Sequence, residues 1–238
     1  MTRTEPLDLT VRPRERLSRE RVLRGAVDLA DDSGINSVTM RRLAQGFGVE
    51  AMALYNHVAN KGELLDGMID VVWSEINDAT IGITGDWKTA LRRKILAARE
   101  ILLRHRWAPG VLESRADMRP VVNRYYDSLI GLLRDGGFST DLTHHALHAL
   151  GSRALGYTHE PWDDSQELPD LSLVARQMAG EYPNIAAMLM DVTHDTGTSL
   201  GWCDDQFEFE FALDLLLDGL ERVRDAEPNG AKTTPTRS

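Results

Sequence analysis

Cysteine and long apolar runs are almost absent from this chain. Its 238 residues include a single cysteine, Cys203, which excludes an internal disulfide and fits a reducing compartment. No stretch approaches the roughly 20 apolar residues of a membrane-spanning helix. The opening Met-Thr-Arg-Thr-Glu-Pro leads into no apolar run, so we expect no secretory signal. The sequence therefore predicts a cytoplasmic protein that has no membrane partner.

Signatures of enzymes are also scarce. The sequence has no glycine-rich phosphate-binding loop and no Cys-x-x-Cys pair. His144 and His148 stand four residues apart with Asp141 one turn earlier, and this spacing can hold a metal ion. No glutamate between the histidines and no clear further ligand accompanies them, so exposed polar residues are the better interpretation. We expect neither catalysis nor a cofactor, and whether this Asp-His-His face binds a metal ion stays open.

Basic residues are outnumbered overall but gathered at the N-terminus. The formal net charge is −10, yet residues 1–24 carry seven arginines against four acidic residues. Residues 1–66 are balanced at ten and ten, so residues 67–238 hold the whole excess of negative charge. A basic arm on a neutral head can bind phosphates locally while an acidic body repels them. We expect residues 1–16 to be flexible, with Arg12, Arg14 and Arg16 either following a DNA groove or remaining solvated.

The most informative pattern lies in residues 38–61. It predicts two short helices broken at Gly48, which is the spacing of a helix-turn-helix that lays its second helix on DNA. Thr39 is the expected N-cap of the first helix. Leu54 and Val58 form an apolar pair one turn apart in the second helix. The residues of that helix left to face outward are Ala51, Met52, Ala53, Tyr55, Asn56 and His57.

Spacing alone does not decide what this hairpin does, because short helical hairpins in all-α proteins often contact no ligand. The residues are more specific. They read Thr-x-Arg-x-Leu-Ala-x-x-x-Gly-Val, followed by Leu-Tyr-x-His-Val-x-Asn-Lys. This series resembles the DNA-binding domain of the tetracycline-repressor (TetR) family, and the similarity runs without a gap over about residues 17–66.

The resemblance implies a role for each matching position. It implies phosphate contacts for Arg41, Tyr55, His57 and Lys61, and base-facing roles for Ala51, Met52 and Asn56. Ala51 and Met52 depart from the polar side chains that many relatives carry there. Apolar groups at these positions can contact thymine methyl groups only, so the sequence preference is not predictable.

The remainder of the chain also predicts helices and shows no strand pattern. We expect an all-α protein with a three-helix helix-turn-helix domain at residues 17–66, a helical ligand-binding and dimerisation domain at 67–225 and a disordered tail at 226–238. The last helix has one apolar seam at Phe209, Leu213, Leu216, Leu220 and Val223, and a second at Phe207, Phe211 and Leu215. Two seams require two partners, either a second subunit or, alternatively, two sides of one subunit.

The family resemblance further implies a homodimer and a small-molecule site among the body helices. Aromatic and methionine side chains suit a largely apolar, adaptable site. The candidates are Trp107, Tyr125, Tyr126, His148, Tyr157, Trp162, Met178 and Met188, and each is alternatively a plain core residue.

The sequence thus predicts a dimeric transcriptional regulator of double-stranded DNA. We expect a repressor that leaves a palindromic operator when a largely apolar effector binds in the C-terminal domain. A ligand-independent regulator, an activator and a helical protein-interaction module are the alternatives.

Overall fold

The computed structural model describes residues 16–115, 119–156, 171–191 and 205–227. Within these ranges the chain is helical and contains no β-strand, which confirms the predicted all-α class. The residues of the predicted arm up to 15 and of the tail from 228 lie outside them. The helices are α1 (Arg19–Ser33), α2 (Met40–Phe47), α3 (Ala51–Tyr55), α4 (Lys61–Thr80), α5 (Trp87–Arg104), α6 (Ala108–Glu113), α7 (Pro120–Asp135), α8 (Thr140–Gly156), α9 (Leu171–Met178), α10 (Pro183–Asp191) and α11 (Asp205–Ala226).

The head consists of α1–α3 and the start of α4. Helices α1, α2 and α4 each begin after a residue whose side chain caps the first turn. Ser18 Oγ accepts a backbone N–H of the first turn of α1 at 3.2 Å, and Thr39 Oγ1 does the same for α2 at 3.1 Å. Asn60 Oδ1 caps α4 at 2.9 Å. Gly48 ends α2 in the left-handed conformation, with φ 65° and ψ 38°. The predicted cap at Thr39 and the predicted break at Gly48 are confirmed, and Gly48 fixes the turn between α2 and α3.

Helix α4 passes through two hydrophobic cores. Leu64 and Met68, both fully buried, pack in a head core with α1, α2 and α3. Ile69 and Val72, which follow directly, pack in a body core with α5, α7, α8 and α11. Because one uninterrupted helix belongs to both cores, a tilt of α4 against the body also moves the head.

A polar junction joins the head to the body on one side of α4. Asp31, in the last turn of α1, accepts a hydrogen bond from Nε1 of Trp107 at 2.7 Å. Its carboxylate also lies 2.9 Å from Nδ1 of His105, a buried residue at the end of α5. The opposite ring nitrogen of His105 is 3.3 Å from a carboxylate oxygen of Glu75 on α4. One histidine therefore contacts carboxylates of the head and of the connecting helix.

Two arginines tie α4 to the body near its N-terminus. Arg115, after α6, forms an ion pair with Asp66 at 2.7 Å. Arg119, before α7, pairs with Asp70 and lies 3.8 Å from Asp66. The hydrogen bond to Asp70 raises the pKa of Arg119. Both contacts hold the half of α4 that carries the head.

In the body, α11 is fixed against α5 by ion pairs. Two basic residues of α5 meet four acidic residues of α11 at 2.6–2.7 Å: Lys88 with Asp218 and Glu221, and Arg92 with Glu210 and Asp214. Helices α9 and α10 form a separate hairpin that buries Ala175 and Ala186 between them. No helix of the described ranges is long and apolar enough to cross a membrane.

The end of α7 gives a test of core packing. A Cβ at Gly136 would lie 2.5 Å from Cγ and 2.8 Å from Cβ of Trp87, whose ring packs edge-on against Phe138. We expect Gly136→Ala to lower the free energy of unfolding by about 1–3 kcal/mol, because the indole has little room to retreat. Gly131→Ala in the same helix is the control, since no atom lies within 4 Å of its Cβ position. It should be neutral or stabilising by about 0.5–1 kcal/mol in urea denaturation. Equal stability of the two variants would contradict this packing.

The head–body junction gives a second test. Asp31→Ala removes the acceptor of the Trp107 N–H and the carboxylate beside His105, so we expect a loss of about 1–2 kcal/mol in thermal or urea unfolding. Asp32→Ala is the matched control, because Asp32 is exposed and has no hydrogen-bond or ion-pair partner in the part of the chain that the structure describes. It should change stability by less than about 0.5 kcal/mol. A similar effect of both substitutions would show that the junction contributes nothing specific.

Candidate nucleic-acid interface

The orientation of α3 is set by its buried side. Leu54 and Val58 are fully buried in the head core. On the opposite side Met52 is 72% exposed, and Tyr55 and Asn56 are also exposed. The structure therefore presents these three predicted contact residues to solvent as one surface at the end of the molecule's head.

The other predicted contact residues of the hairpin are half-buried or, in the case of Thr39, also hold a helix end. Ala51, Ala53 and His57 are half-buried, and Ala51 packs against the edge of the head core. Thr39 is exposed, but its hydroxyl accepts a backbone N–H of α2 and thereby caps that helix. Met52 and Asn56 are thus the predicted base-facing side chains with the greatest reach.

Two exposed cations flank α3. Arg41 lies on α2, and Lys61 is the first residue of α4. Within the described ranges neither side chain has a hydrogen bond or an ion pair, whereas neighbouring Arg42 is bonded to Ser33 Oγ at 3.0 Å. A lysine at the first position of a 20-residue helix faces the positive end of the helix dipole, which is unfavourable for a cation. The same place is favourable for a bound anion.

Glu63 holds the turn between α3 and α4. Its carboxylate accepts the backbone N–H of Ala59 at 2.7 Å and lies 3.4 Å from Arg19 of α1. The Ala59 hydrogen bond is the main reason that the pKa of Glu63 is lowered. This carboxylate therefore fixes Lys61 relative to Tyr55, a role that the sequence pattern did not assign to it.

A cavity lies in the body between α4, α5, α7 and α8. Its enclosed volume is about 40 Å³, within about 530 Å³ of atom-free space that includes the open mouth. The enclosed part has room for a few water molecules, whereas small-molecule sites usually have about 300–1,000 Å³. A drug-sized molecule can bind here only when the surrounding helices separate.

Two of the predicted ligand-site residues line this cavity. They are Tyr125 and Tyr126 of α7, and burial raises the pKa of both hydroxyls. The hydroxyl of Tyr125 donates to the backbone carbonyl of Lys94 at 3.5 Å. Arg99 also lines it and was not predicted, because the candidates were chosen for aromatic or thioether groups. A signal existed in the sequence: Arg99 interrupts the apolar stripe formed by Ile95 and Leu102 on α5.

Three other predicted positions do not line this cavity, and their role at a ligand site stays a prediction. Trp107 packs at the head–body junction, where Asp31 accepts its N–H. His148 is on the exposed face of α8, and Met178 belongs to the α9–α10 hairpin. Tyr157 and Trp162 lie outside the described residues. Met188 belongs to α10, but its side chain is not among those that the structure describes.

The histidines of α8 form an exposed group. The rings of His144 and His148 are 4.6 Å apart between centroids. Asp141 lies near His145 instead, at 3.7 Å. Among the described residues, no group of three or more His, Cys, Asp or Glu side chains is arranged to hold a metal ion.

The two apolar seams of α11 have different environments. Phe209 and Leu213 are buried in the body core together with Leu217, which the predicted seam omitted. Val223 was predicted in that seam but is 51% exposed, because the last turn of α11 instead packs on Trp87 and Phe138 through its neighbour Arg224. The second seam is exposed along its length, with exposures of 54–63% at Phe207, Phe211 and Leu215. Within the part of the chain that the structure describes, one subunit buries the first seam and leaves the second exposed.

Sequence comparisons assign both parts of this architecture to one family. The model described as "Bacterial regulatory proteins, tetR family" matches residues 22–68, and "Tetracyclin repressor-like, C-terminal domain" matches residues 83–224. The HTH-type transcriptional repressor DrrR1 of Streptomyces coeruleorubidus is 30% identical over 217 residues, which cover 88% of this chain and 79% of the relative.

Solved structures agree with this assignment. A possible TetR family transcriptional regulator from Streptomyces coelicolor A3(2) is 35% identical, with a TM-score of 0.69 over 87% of this chain and 100% of that chain. The Streptomyces coelicolor TetR family protein ActR, in complex with actinorhodin, shares the fold at 24% identity and a TM-score of 0.65, over 88% of this chain and 99% of that chain. The chain therefore belongs to the TetR family of DNA-binding transcriptional regulators.

Proposed function

We propose that this protein is a homodimeric repressor that binds a palindromic operator through α3 and leaves it when a small molecule enters the body. The observation that carries this proposal is the exposed surface of α3 beside two cations without protein partners in the described ranges. Such a surface combines positive charge for phosphates with side chains for base edges.

Lys61 supports a phosphate contact by its position. Its ammonium group stands where the dipole of α4 disfavours a cation, and a phosphate at the same helix end would be attracted by both. Arg41 of α2 and Tyr55 of α3 are the further candidates for phosphate contacts. Direct reading of bases is left to Met52, which can touch thymine methyl groups, and to Asn56, whose amide can bond adenine.

The exposed seam of α11 supports a dimer. Phe207, Phe211 and Leu215 form an apolar strip on a helix whose opposite side is already in the core. Burying such a strip against a second copy would remove it from water. Two copies would then present two α3 helices to half-sites about 34–36 Å apart.

Release by an effector rests on the cavity and on α4. A ligand that enlarges the cavity must part α4 from α5 and α7, and α4 carries the head. Such a ligand binds the non-DNA form more tightly, so DNA and ligand weaken each other's binding reciprocally. The DrrR1 relative is named a repressor, and ActR was crystallised with actinorhodin, which fits this direction of control. We place the protein in the cytoplasm, where a bacterial operator is found.

Catalysis is not part of the proposal. Residues 197–201 read Gly-Thr-Ser-Leu-Gly, which has the spacing of the nucleophile elbow of hydrolases, and they lie outside the described residues. That elbow works between a strand and a helix, and the described ranges contain no strand. The relatives are named as regulators, so we propose no catalytic role for these five residues.

Lys61 provides the sharpest test of the DNA surface. We expect Lys61→Ala to weaken binding to a duplex selected by this protein from random-sequence DNA, and to reduce the slope of log affinity against log salt by about 1. The melting temperature should be unchanged or higher, because a cation leaves the positive end of α4. Fluorescence anisotropy and thermal unfolding measure the two effects.

Arg134→Ala is the control for Lys61→Ala, since Arg134 is an exposed arginine at the far end of α7 in the body. It should leave affinity and salt slope as in the wild type. Equal salt slopes for wild type and Lys61→Ala would refute the docking of this surface on DNA.

The dimer face is tested by Phe211→Asp. Phe211 is 54% exposed, so the subunit should fold normally while a carboxylate in the apolar strip prevents association. We expect a monomer in sedimentation velocity and a loss of the affinity advantage of a two-site operator over a single half-site. Ile81→Asp, at a more exposed apolar residue after α4, should leave the dimer intact. A dimeric Phe211→Asp variant would exclude this face.

A further inference from the structure

We propose that His144 and His148 form one half of a site for a divalent transition-metal ion, and that the same two histidines of a second copy complete it. This inference rests on the proposed dimer and adds a metal ion as a ligand of that dimer. It depends on the spacing of the two imidazoles, on the incomplete ligand set of one subunit and on the place of the histidines beside the exposed seam of α11.

The two imidazoles stand one turn apart on the exposed side of α8. The ring centroids of His144 and His148 are 4.6 Å apart, and the ring planes cross at 78°. Histidines four residues apart on one face of a helix can bind the same metal ion. A ligating imidazole binds the metal through one ring nitrogen and keeps the other for a hydrogen bond, so the further contact that His148 makes is compatible with this role. One subunit therefore offers a pair of nitrogen ligands.

This pair is only half of a complete ligand set. The neighbouring His145 is placed differently, with its Nε2 at 3.7 Å from a carboxylate oxygen of Asp141. In the part of the chain that the structure describes, no three His, Cys, Asp or Glu side chains of one subunit are grouped to hold a metal ion. A protein-bound zinc ion usually has four ligands in a tetrahedral arrangement. Two imidazoles from each of two subunits would supply all four.

The histidines lie beside the seam that we assign to the dimer. Helices α8 and α11 pack side by side and run antiparallel, because Ser139 before α8 donates to the carboxylate of Glu227 after α11 at 3.0 Å. Both helices rise about 1.5 Å per residue, so equal steps from that contact bring His148 level with about position 218. Leu215 of the exposed seam is then about one turn away.

The two helices also turn corresponding sides to solvent. Their core-facing residues belong to one hydrophobic core: Leu142, Ala146 and Leu150 of α8, and Phe209, Leu213 and Leu217 of α11. His144 and His148 lie on the opposite side of α8, just as Phe211 and Leu215 lie on the opposite side of α11. In a twofold interface both subunits contribute the same residues. A second copy that covers the seam of α11 would therefore bring its own two histidines to this side.

The chemistry of imidazole selects the metal ion. Imidazole nitrogens suit Zn²⁺, Ni²⁺ and Cu²⁺, whereas Mg²⁺ and Ca²⁺ prefer oxygen ligands. Association of two subunits would remove the imidazoles from water, which is costly for polar groups that find no new partner. A shared metal ion would be that partner. An ion that binds only the dimer, at a free concentration one hundred times its dissociation constant, strengthens dimerisation roughly 100-fold.

Zinc titration of the full chain, free of affinity tags and treated with EDTA, tests this site. We expect one Zn²⁺ per dimer in native mass spectrometry, and a dimer dissociation constant that falls roughly tenfold or more in analytical ultracentrifugation. Mg²⁺ should have neither effect. Co²⁺ should give the intense visible absorption of a tetrahedral ion, whereas two imidazoles completed by water would give the weak absorption of a six-coordinate ion.

Three alanine variants identify the ligands. His144→Ala and His148→Ala should each abolish the zinc effect and the cobalt spectrum, while circular dichroism of the metal-free protein stays as in the wild type. His145→Ala is the matched control, since His145 is an exposed histidine on the same helix that lies near Asp141. It should keep both the zinc effect and the cobalt spectrum.

Four results would each overturn the proposal: no binding of zinc, one zinc ion per subunit, a six-coordinate cobalt spectrum, or a His145→Ala variant that loses the zinc effect as His148→Ala does. The proposed function would fail differently. In that case the wild type would remain a monomer with and without zinc, or it would not bind a selected duplex.

Discussion

The burial of Leu64 and Met68 in one core and of Ile69 and Val72 in another, on a single helix without a break, is the constraint on which the rest of the structure depends. Truncation of Leu64, Met68 or Ile69 to alanine would cost about 2–5 kcal/mol each, so α4 cannot leave either core without unfolding it. The head therefore has no freedom of its own on a flexible linker. Its position is a property of how α4 lies against the body, and a ligand in the body can reach the DNA surface only through that helix.

Each polar contact beside α4 contributes less free energy than each of the buried apolar side chains. Partly exposed pairs, such as those of Asp66 and Asp70 with Arg115 and Arg119, contribute about 0–1 kcal/mol each. Coupling between two binding sites is typically about 1–3 kcal/mol. Two or three such contacts, broken or remade, are thus sufficient to favour one tilt of α4 over another, whereas the apolar contacts are too strong to be exchanged. The hydrophobic cores fix the identity of the fold, and the polar ties set the energy difference between its forms.

Local rules predicted most of the head. The cap at Thr39 and the break at Gly48 follow from the chemistry of a few neighbouring residues, and the apolar period located Leu54 and Val58 in the core. Long-range partners were not predictable. Trp107 was expected beside a ligand because it is aromatic, but its N–H is taken by Asp31, which is far away in the sequence. Leu217 was missed and Val223 was wrongly included because the side of α11 that faces the core follows Leu213, Leu217 and Arg224, and apolar spacing alone did not define that side closely enough.

The excess of negative charge in the body raises the question of how an acidic protein can bind DNA. A net charge of −10 repels phosphates at long range, but salt screens that repulsion beyond a Debye length of about 8 Å at physiological ionic strength. Arg41 and Lys61 would act on phosphates at contact distance, whereas the residues that carry the excess of negative charge all follow residue 66. The local cations therefore decide whether a phosphate binds, and the acidic body mainly slows the approach to the duplex.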